Sequence, residues 1–280
     1  MAGRAPDWTP LPVSYADYTL WHQELLDGGL AENQLAYWRE TLAGLPDETP
    51  LPADRTRPAR PDYTGGSVEL DIPPELHRGL RDLAAAHGAT MFMVTVAALA
   101  ALLHRHGAGD DIPIGTQVAG RGDAALDDLV GFFVNTVVVR ADTSGEPTFA
   151  ELLDRIRERS LAALAHADVP FDRLVADLDP ARQESRHPLF QVMLTYHNIP
   201  DPDPHVAEDG VRADLLVTGV DSAWFDLMID FNETAGRDGV GGALRYQKAR
   251  FRKATARRLA AELIGVLHAV ATGREPFRAP

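Results

Sequence analysis

From Met91 to Leu103 the chain reads Met-Phe-Met-Val-Thr-Val-Ala-Ala-Leu-Ala-Ala-Leu-Leu, apolar on almost every side, and no other feature constrains the fold as strongly. A helix without a polar stripe has to be buried between layers rather than laid on a surface. Thr90 is placed to cap it and Gly107 to stop it, so a helix is expected over Met91 to about His106. The run is too short to cross a bilayer, which takes about 20 such residues. Two apolar, β-branched runs follow, Asp111 to Val118 and Phe132 to Arg140, with the composition of central strands covered on both faces.

The remaining elements fit around that core. Ser14 and Asp17 have capping-box spacing, and Tyr15, Tyr18, Trp21 and Leu25 recur at helical intervals. With a second helix over Glu32 to Leu42, residues 1–45 form a pair of entry helices. Pro46 to Pro61 holds five prolines and three arginines and is expected as an extended connector. In the core, residues 62–280, Ser67 to Ile72 alternates as a half-buried strand, and Pro73-Pro74 opens a helix that Gly88 closes. Thr148 and Glu151 cap a long helix to about His166, and Phe171 to Leu178 reads as a short one. Leu189 to Tyr196, Ala213 to Thr218, Phe225 to Glu233 and Val240 to Gln247 read as strands, the last two joined by a turn containing Gly and Asp. Lys253 to about Ala271 forms the last helix. Without a strict βαβ rhythm, the class is α/β or α+β on a mixed β-sheet flanked by helices.

Charge and composition exclude whole classes of function. Against 41 acidic side chains there are 27 basic ones, a formal charge of −14, which repels phosphate backbones and sets nucleic acid aside as the main partner. With no cysteine, disulfides, thiolate catalysis and Cys-ligated zinc are out, as in a protein of a reducing interior such as a bacterial cytosol. The first eight residues have no apolar stretch to serve as a signal peptide, and no membrane contact is expected.

Asn135, inside Val-Gly-Phe-Phe-Val-Asn-Thr, is the first chemically suggestive residue, because a buried amide needs partners. It is either a pocket-lining donor and acceptor or a core amide that bridges backbone groups. His104-Arg105-His106-Gly-Ala-Gly-Asp110-Asp111 imitates an acyltransferase signature with adjacent histidines, but the pair is split by an arginine and sits at a helix C-terminus, where the macrodipole favours a cation. His106 is therefore read as a decoy, and no catalytic residue is assigned. His104 and His106 face different ways on a helix and no paired ligand set appears, so no metal site is assigned. Gly115, Thr116, Gln117, Gly120 and Arg121 follow a strand and are expected as a tight turn beside a site. Lys248, Arg250, Arg252, Lys253, Arg257 and Arg258 form a basic cluster that fits a phosphate group, an acidic partner or a solvated helix face.

Four separated segments, Tyr15 to Trp21, Val130 to Thr136 running on to Arg140, His166 to Asp172 and Arg182 to Phe190, resemble in order and spacing the C-terminal motifs of the condensation domains of nonribosomal peptide synthetases. Gln34 to Trp38 and Phe225 to Leu227 fall where that family has similar segments, so the resemblance covers nearly the whole chain.

The resemblance implies a chloramphenicol acetyltransferase-like lobe spanning residues 1–280, the C-terminal half of a V whose N-terminal lobe carries the catalytic His-His-x-x-x-Asp-Gly. Ala2 to Leu11 looks like the connection from that motif, so Met1 is expected in mid-domain. The partners so implied are the N-terminal condensation lobe and peptidyl carrier proteins, whose phosphopantetheine arms enter a tunnel between the lobes as substrates. Left alone, the seam face would be exposed or covered by self-association. By the same match Asn135 is a pocket residue, Gly115 to Arg121 a floor loop, and the region near Tyr246 the segment that reaches across the lobes. Tyr15, Asp17, Trp21, Arg140, His166, Asp168, Pro170, Ser185 and Arg186 are then motif residues with structural roles. The family's acidic residues after the Tyr246 strand are replaced here by Lys-Ala-Arg-Phe-Arg.

Overall fold

The structure is a computed structural model that describes residues 9–180, 183–198, 222–233 and 239–276. The expected strand Ala213 to Thr218, the turn before Val240 and Arg182 lie outside the described residues. Helices α1 (Tyr15–Leu25) and α2 (Ala31–Thr41) come first, followed by β1 (Gly65–Ile72), α3 (Pro74–Ala86) and α4 (Met91–Arg105). Then come β2 (Asp111–Val118), β3 (Asn135–Asp142), α5 (Phe149–Ala165), α6 (Phe171–Leu178), β4 (Val192–His197), β5 (Leu227–Asn232), β6 (Val240–Gln247) and α7 (Lys253–Ala271).

The six strands form one mixed sheet in the order β1-β6-β5-β4-β2-β3. Neighbours β2, β4 and β5 run parallel, and the pairs β1–β6, β5–β6 and β2–β3 are antiparallel. Helices α3, α4, α5 and α7 cover one face. There α4 is wedged between the sheet and its neighbouring helices, with every residue from Met93 to Leu103 buried. That burial is what a helix without a polar stripe requires. On the other face, Leu35 and Trp38 of α2 and Leu174 of α6 pack with Val138, Phe190 and Met193 over the β2–β3–β4 side. No single helix among the described residues is long and apolar enough to cross a membrane.

Two expectations need correction. Gly115, Thr116 and Gln117 lie inside β2 and form no turn, paired with Val138, Val137 and Thr136 of β3. A side chain at Gly115 would enter the Phe190 ring, with its Cβ 2.1 Å from the nearest ring atom, so this glycine serves the packing of an aromatic on the sheet. The second concerns β3, which begins at Asn135 and not at Phe132. The apolar run misleads because Tyr15 Oη donates to the Phe132 carbonyl (2.9 Å) and its ring lies over Gly131, where a Cβ would stand 2.2 Å from a ring atom. The segment before β3 is thereby drawn toward α1.

Candidate functional site

A groove of about 610 Å3 opens between α1, the segment 120–136 and the turn that joins α5 to α6. Its α1 wall starts from a complete capping box. Ser14 Oγ accepts from the Asp17 amide (3.2 Å), and Asp17 Oδ2 accepts from Ser14 N (2.9 Å), which fixes the helix start. That places Tyr15 and Tyr18 over Phe133, at ring separations of 5.5 and 4.7 Å. On Phe133 also rests the Arg121 guanidinium, 4.0 Å from the ring centre, and its Nη1 donates to the Leu126 carbonyl. Burial pushes the Tyr18 phenol above its ordinary range, with the Tyr15 and Asp168 charges adding to the shift.

The groove floor is a web of side chains holding backbone. Asn135 Nδ2 donates to the Ala167 and Val169 carbonyls (both 2.8 Å), and its Oδ1 accepts from the amides of Phe171 (3.0 Å) and Thr136 (2.8 Å). Of the two readings of Asn135, the bridging amide is the one its bonds describe, although the residue also borders the groove. Gln34, buried on α2, donates to Asp168 Oδ2 (2.7 Å) and accepts from the amides of Asp168 and Val169 (3.0 Å each). His22 Nε2 donates to the Asp168 carbonyl (3.0 Å), and Trp38 Nε1 donates to the His166 carbonyl (2.9 Å). The His166 ring donates through Nδ1 to Ala162 O (2.8 Å) and stacks on Tyr37 at 3.8 Å, while Pro170 opens α6.

Further out, Arg140 pairs bidentately with Asp111 (2.7 and 2.6 Å) and donates to the Thr41 and Ala43 carbonyls, which pins the end of α2 to the sheet. Its guanidinium pKa is raised by the Asp111 hydrogen bonds. Ser185 offers its carbonyl to Arg57 (3.1 Å), and Arg186 borders a small cavity beside His187 and Trp224. His106 Nε2 is bonded to Glu262 on α7 (2.5 Å) and His104 lies against Thr143 and Gly109, so both histidines tie α4 to its neighbours and neither lines the groove. Among the described residues no three metal-ligating side chains come together.

Sequence reasoning missed two features. One is the role of Gln34, named only as part of a motif, in holding the α5–α6 turn. The other is a buried charged seam where Arg57 of the connector meets Asp226 (2.8 and 2.6 Å) and Glu48 (2.8 Å), with Arg250 against the same two carboxylates. Burial raises the Glu48 carboxyl, but the Arg57 hydrogen bond and the nearby cations outweigh it and hold the pKa low. Three arginines in a Pro-rich stretch were the only visible signal, since the Arg57 partner lies 169 residues away.

The groove rim stands open. Val130 is 91% exposed, Phe132 77%, Leu20 66% and Trp21 52%, and no residue of α1 is buried. An apolar rim over a floor whose polar groups are spent on backbone suits binding and alignment better than proton transfer.

Comparison with known proteins gives a consistent picture. The family model described as Condensation domain matches residues 2–277. The dimodular nonribosomal peptide synthase of Bacillus subtilis (strain 168) is 49% identical over 276 residues, which is 95% of this chain and 12% of that protein. The X-domain from teicoplanin biosynthesis superposes with a TM-score of 0.87 at 38% identity, covering 98% of this chain and 64% of that one. A second structure, the complex of that X-domain with OxyB, gives the same TM-score of 0.87 at 36% identity and covers 100% of this chain and 64% of that one. The chain thus spans a small fraction of the synthase and just under two thirds of the X-domain.

Proposed function

The chain belongs to the condensation-domain family of nonribosomal peptide synthetases, and we propose that residues 1–280 are the C-terminal lobe of such a domain. In this reading it supplies one wall of the site where a carrier-bound acyl or peptidyl thioester meets a carrier-bound amine, and it forms no amide without an N-terminal lobe that brings the histidine motif. The observation that carries the reading is the open apolar rim of α1 and residues 130–134 beside the groove. Orientation supplied by one wall does not manage the proton of the attacking amine, so the lobe alone has no base for the reaction.

The test is amide formation from donor and acceptor thioesters on carrier proteins, with the chain alone and with an N-terminal lobe added. Product only in the second case supports the reading. Product from the chain alone, above uncatalysed aminolysis and abolished by His106→Ala, overturns it.

One finding favours a second reading, a non-catalytic module that docks a tailoring enzyme: the similarity to an X-domain solved in complex with OxyB. In that case the open rim receives the enzyme, and adding an N-terminal lobe yields no product.

A further inference from the structure

Residues 245–258 read Arg-Tyr-Gln-Lys-Ala-Arg-Phe-Arg-Lys-Ala-Thr-Ala-Arg-Arg, seven cations without a carboxylate, in a chain of formal charge −14 whose only lysines are Lys248 and Lys253. Three of the seven are accounted for by the fold. Arg245 lies 3.3 Å from Asp230, Arg258 reaches Glu262 one turn on (3.6 Å), and Arg250 is buried against Glu48 and Asp226. The other four, Lys248, Arg252, Lys253 and Arg257, are exposed, and none makes an ion pair among the described residues. Arg55 joins them from the connector, because its Nη1 donates to the Lys248 carbonyl.

The carboxylate at the start of α7 is already occupied by hydrogen bonds of the fold. Asp54 Oδ2 accepts from the Arg252 amide (2.6 Å) and Oδ1 from Thr255 Oγ1 (2.8 Å), so it caps α7 from outside the helix. The cations around it serve no packing purpose, since α7 buries Ala256, Leu259, Ala260 and Leu263 on the opposite side. They also oppose the local electrostatics. The first turn of a helix is the positive end of its dipole and favours acidic side chains, whereas the first turn of α7 has none. Crowding like charges there works against folding, and such conflicts mark places where a surface is shaped for something other than its own stability.

We propose that this surface, formed by Arg55, Lys248, Arg252, Lys253 and Arg257, docks an acidic face of a partner protein. Charge complementarity identifies the occupant. The cations are spread over an open surface and are absent from the groove walls, which suits a row of carboxylates on another protein better than a single phosphate. A duplex would meet the repulsion of the remaining net negative charge. The surface shares no residue with α1 or with 130–134, so it stands whichever reading of the groove holds.

The two lysines make the test site-specific. A Glu-rich helical peptide is titrated against the full chain, and the complex is cross-linked with a carbodiimide, which joins lysine amines to carboxylates. Binding is expected to weaken with added salt and to fall at least about tenfold in Lys248→Glu/Arg252→Glu/Lys253→Glu. Cross-links are expected at Lys248 and Lys253. The charge-preserving Lys248→Arg/Lys253→Arg variant should keep the affinity, lose the cross-links and melt with the wild type, and the charge-reversed variant should melt no lower than the wild type because these side chains are exposed and the first turn of α7 favours acidic residues. No binding, unchanged affinity in the charge-reversed variant, cross-links confined to the N-terminal amine, or tighter binding of inorganic phosphate or a DNA duplex than of the peptide would each overturn the proposal.

Discussion

Helices α1 and α4 start alike and end differently. Each is set by a hydroxyl cap, Ser14 in one and Thr90 in the other. From there α4 buries every residue from Met93 to Leu103, and α1 buries none. A cap satisfies backbone donors and so decides that a helix exists; it carries no information on what the helix packs against. Helix α4 has an apolar circumference and layers on all sides to fill. Helix α1 carries Tyr15, Leu20 and Trp21 around its circumference as well; Tyr15, Tyr18 and His22 reach the segment 120–136 or the α5–α6 turn, while Leu20 and Trp21 stay exposed. The contrast separates a helix that the fold closes around from one that it leaves exposed.

Substitutions sharpen this contrast, and the charged seam sets its upper mark. Asp226→Ala removes the more buried of the two carboxylates that Arg57 and Arg250 share and leaves both buried cations to Glu48. It should cost about 3–5 kcal/mol in urea unfolding. Within α4, Leu103→Ala removes a fully buried side chain and should cost about 2–5 kcal/mol. Were α4 as poorly covered as α1, the loss would be a small fraction of that. Asn135→Ala strands the backbone groups it bridges between β3 and the α5–α6 turn, for about 1–3 kcal/mol in a thermal melt. Retained stability would return Asn135 to the pocket reading.

Acid offers a milder probe. His187 is boxed by Phe171, Phe190 and Phe225, and its Nδ1 donates to the Pro188 carbonyl (2.7 Å). Burial depresses its pKa, against the backbone bonds, so the folded state favours the neutral ring. The unfolded imidazole titrates near about 6.5. The stabilisation is thus full above about pH 6.5 and is lost as pH falls toward the lower folded value. His187→Phe should flatten the decline in stability between about pH 7.5 and about pH 5.5. The smallest effect is expected on α1, where Trp21→Ala should change stability by no more than about 0.5 kcal/mol. A loss of several kcal/mol would mean that the open rim is already part of the core.

What the sequence displays is what local physics controls. The caps at Ser14, Thr90 and Thr148, the Pro73-Pro74 opening and the alternation in β1 put elements where they are found. Apolar content misleads where a neighbour intervenes. Phe132 to Val134 reads as the start of a strand, but Tyr15, more than a hundred residues earlier, takes the Phe132 carbonyl (sequence separation 117). The buried contacts of Gln34 and Arg57 could not be read, because a polar residue on a helix or in a Pro-rich connector looks solvent-facing until its partners, 134 and 169 residues away, are known. The resemblance named Asn135 and the motif residues around the groove, but which of their polar groups are spent on backbone and which rim residues stay open depends on contacts between distant segments.

On the proposed reading, the open rim is a seam for a second lobe. Hydrogen exchange of the chain, measured alone and with an N-terminal condensation lobe that restores amide formation, tests it most directly. Strong new protection of residues 15–25 and 130–134 is expected, with little change in α4, which is slow to exchange in both states. Restored activity with α1 and residues 130–134 exchanging as fast as in the isolated chain would contradict it.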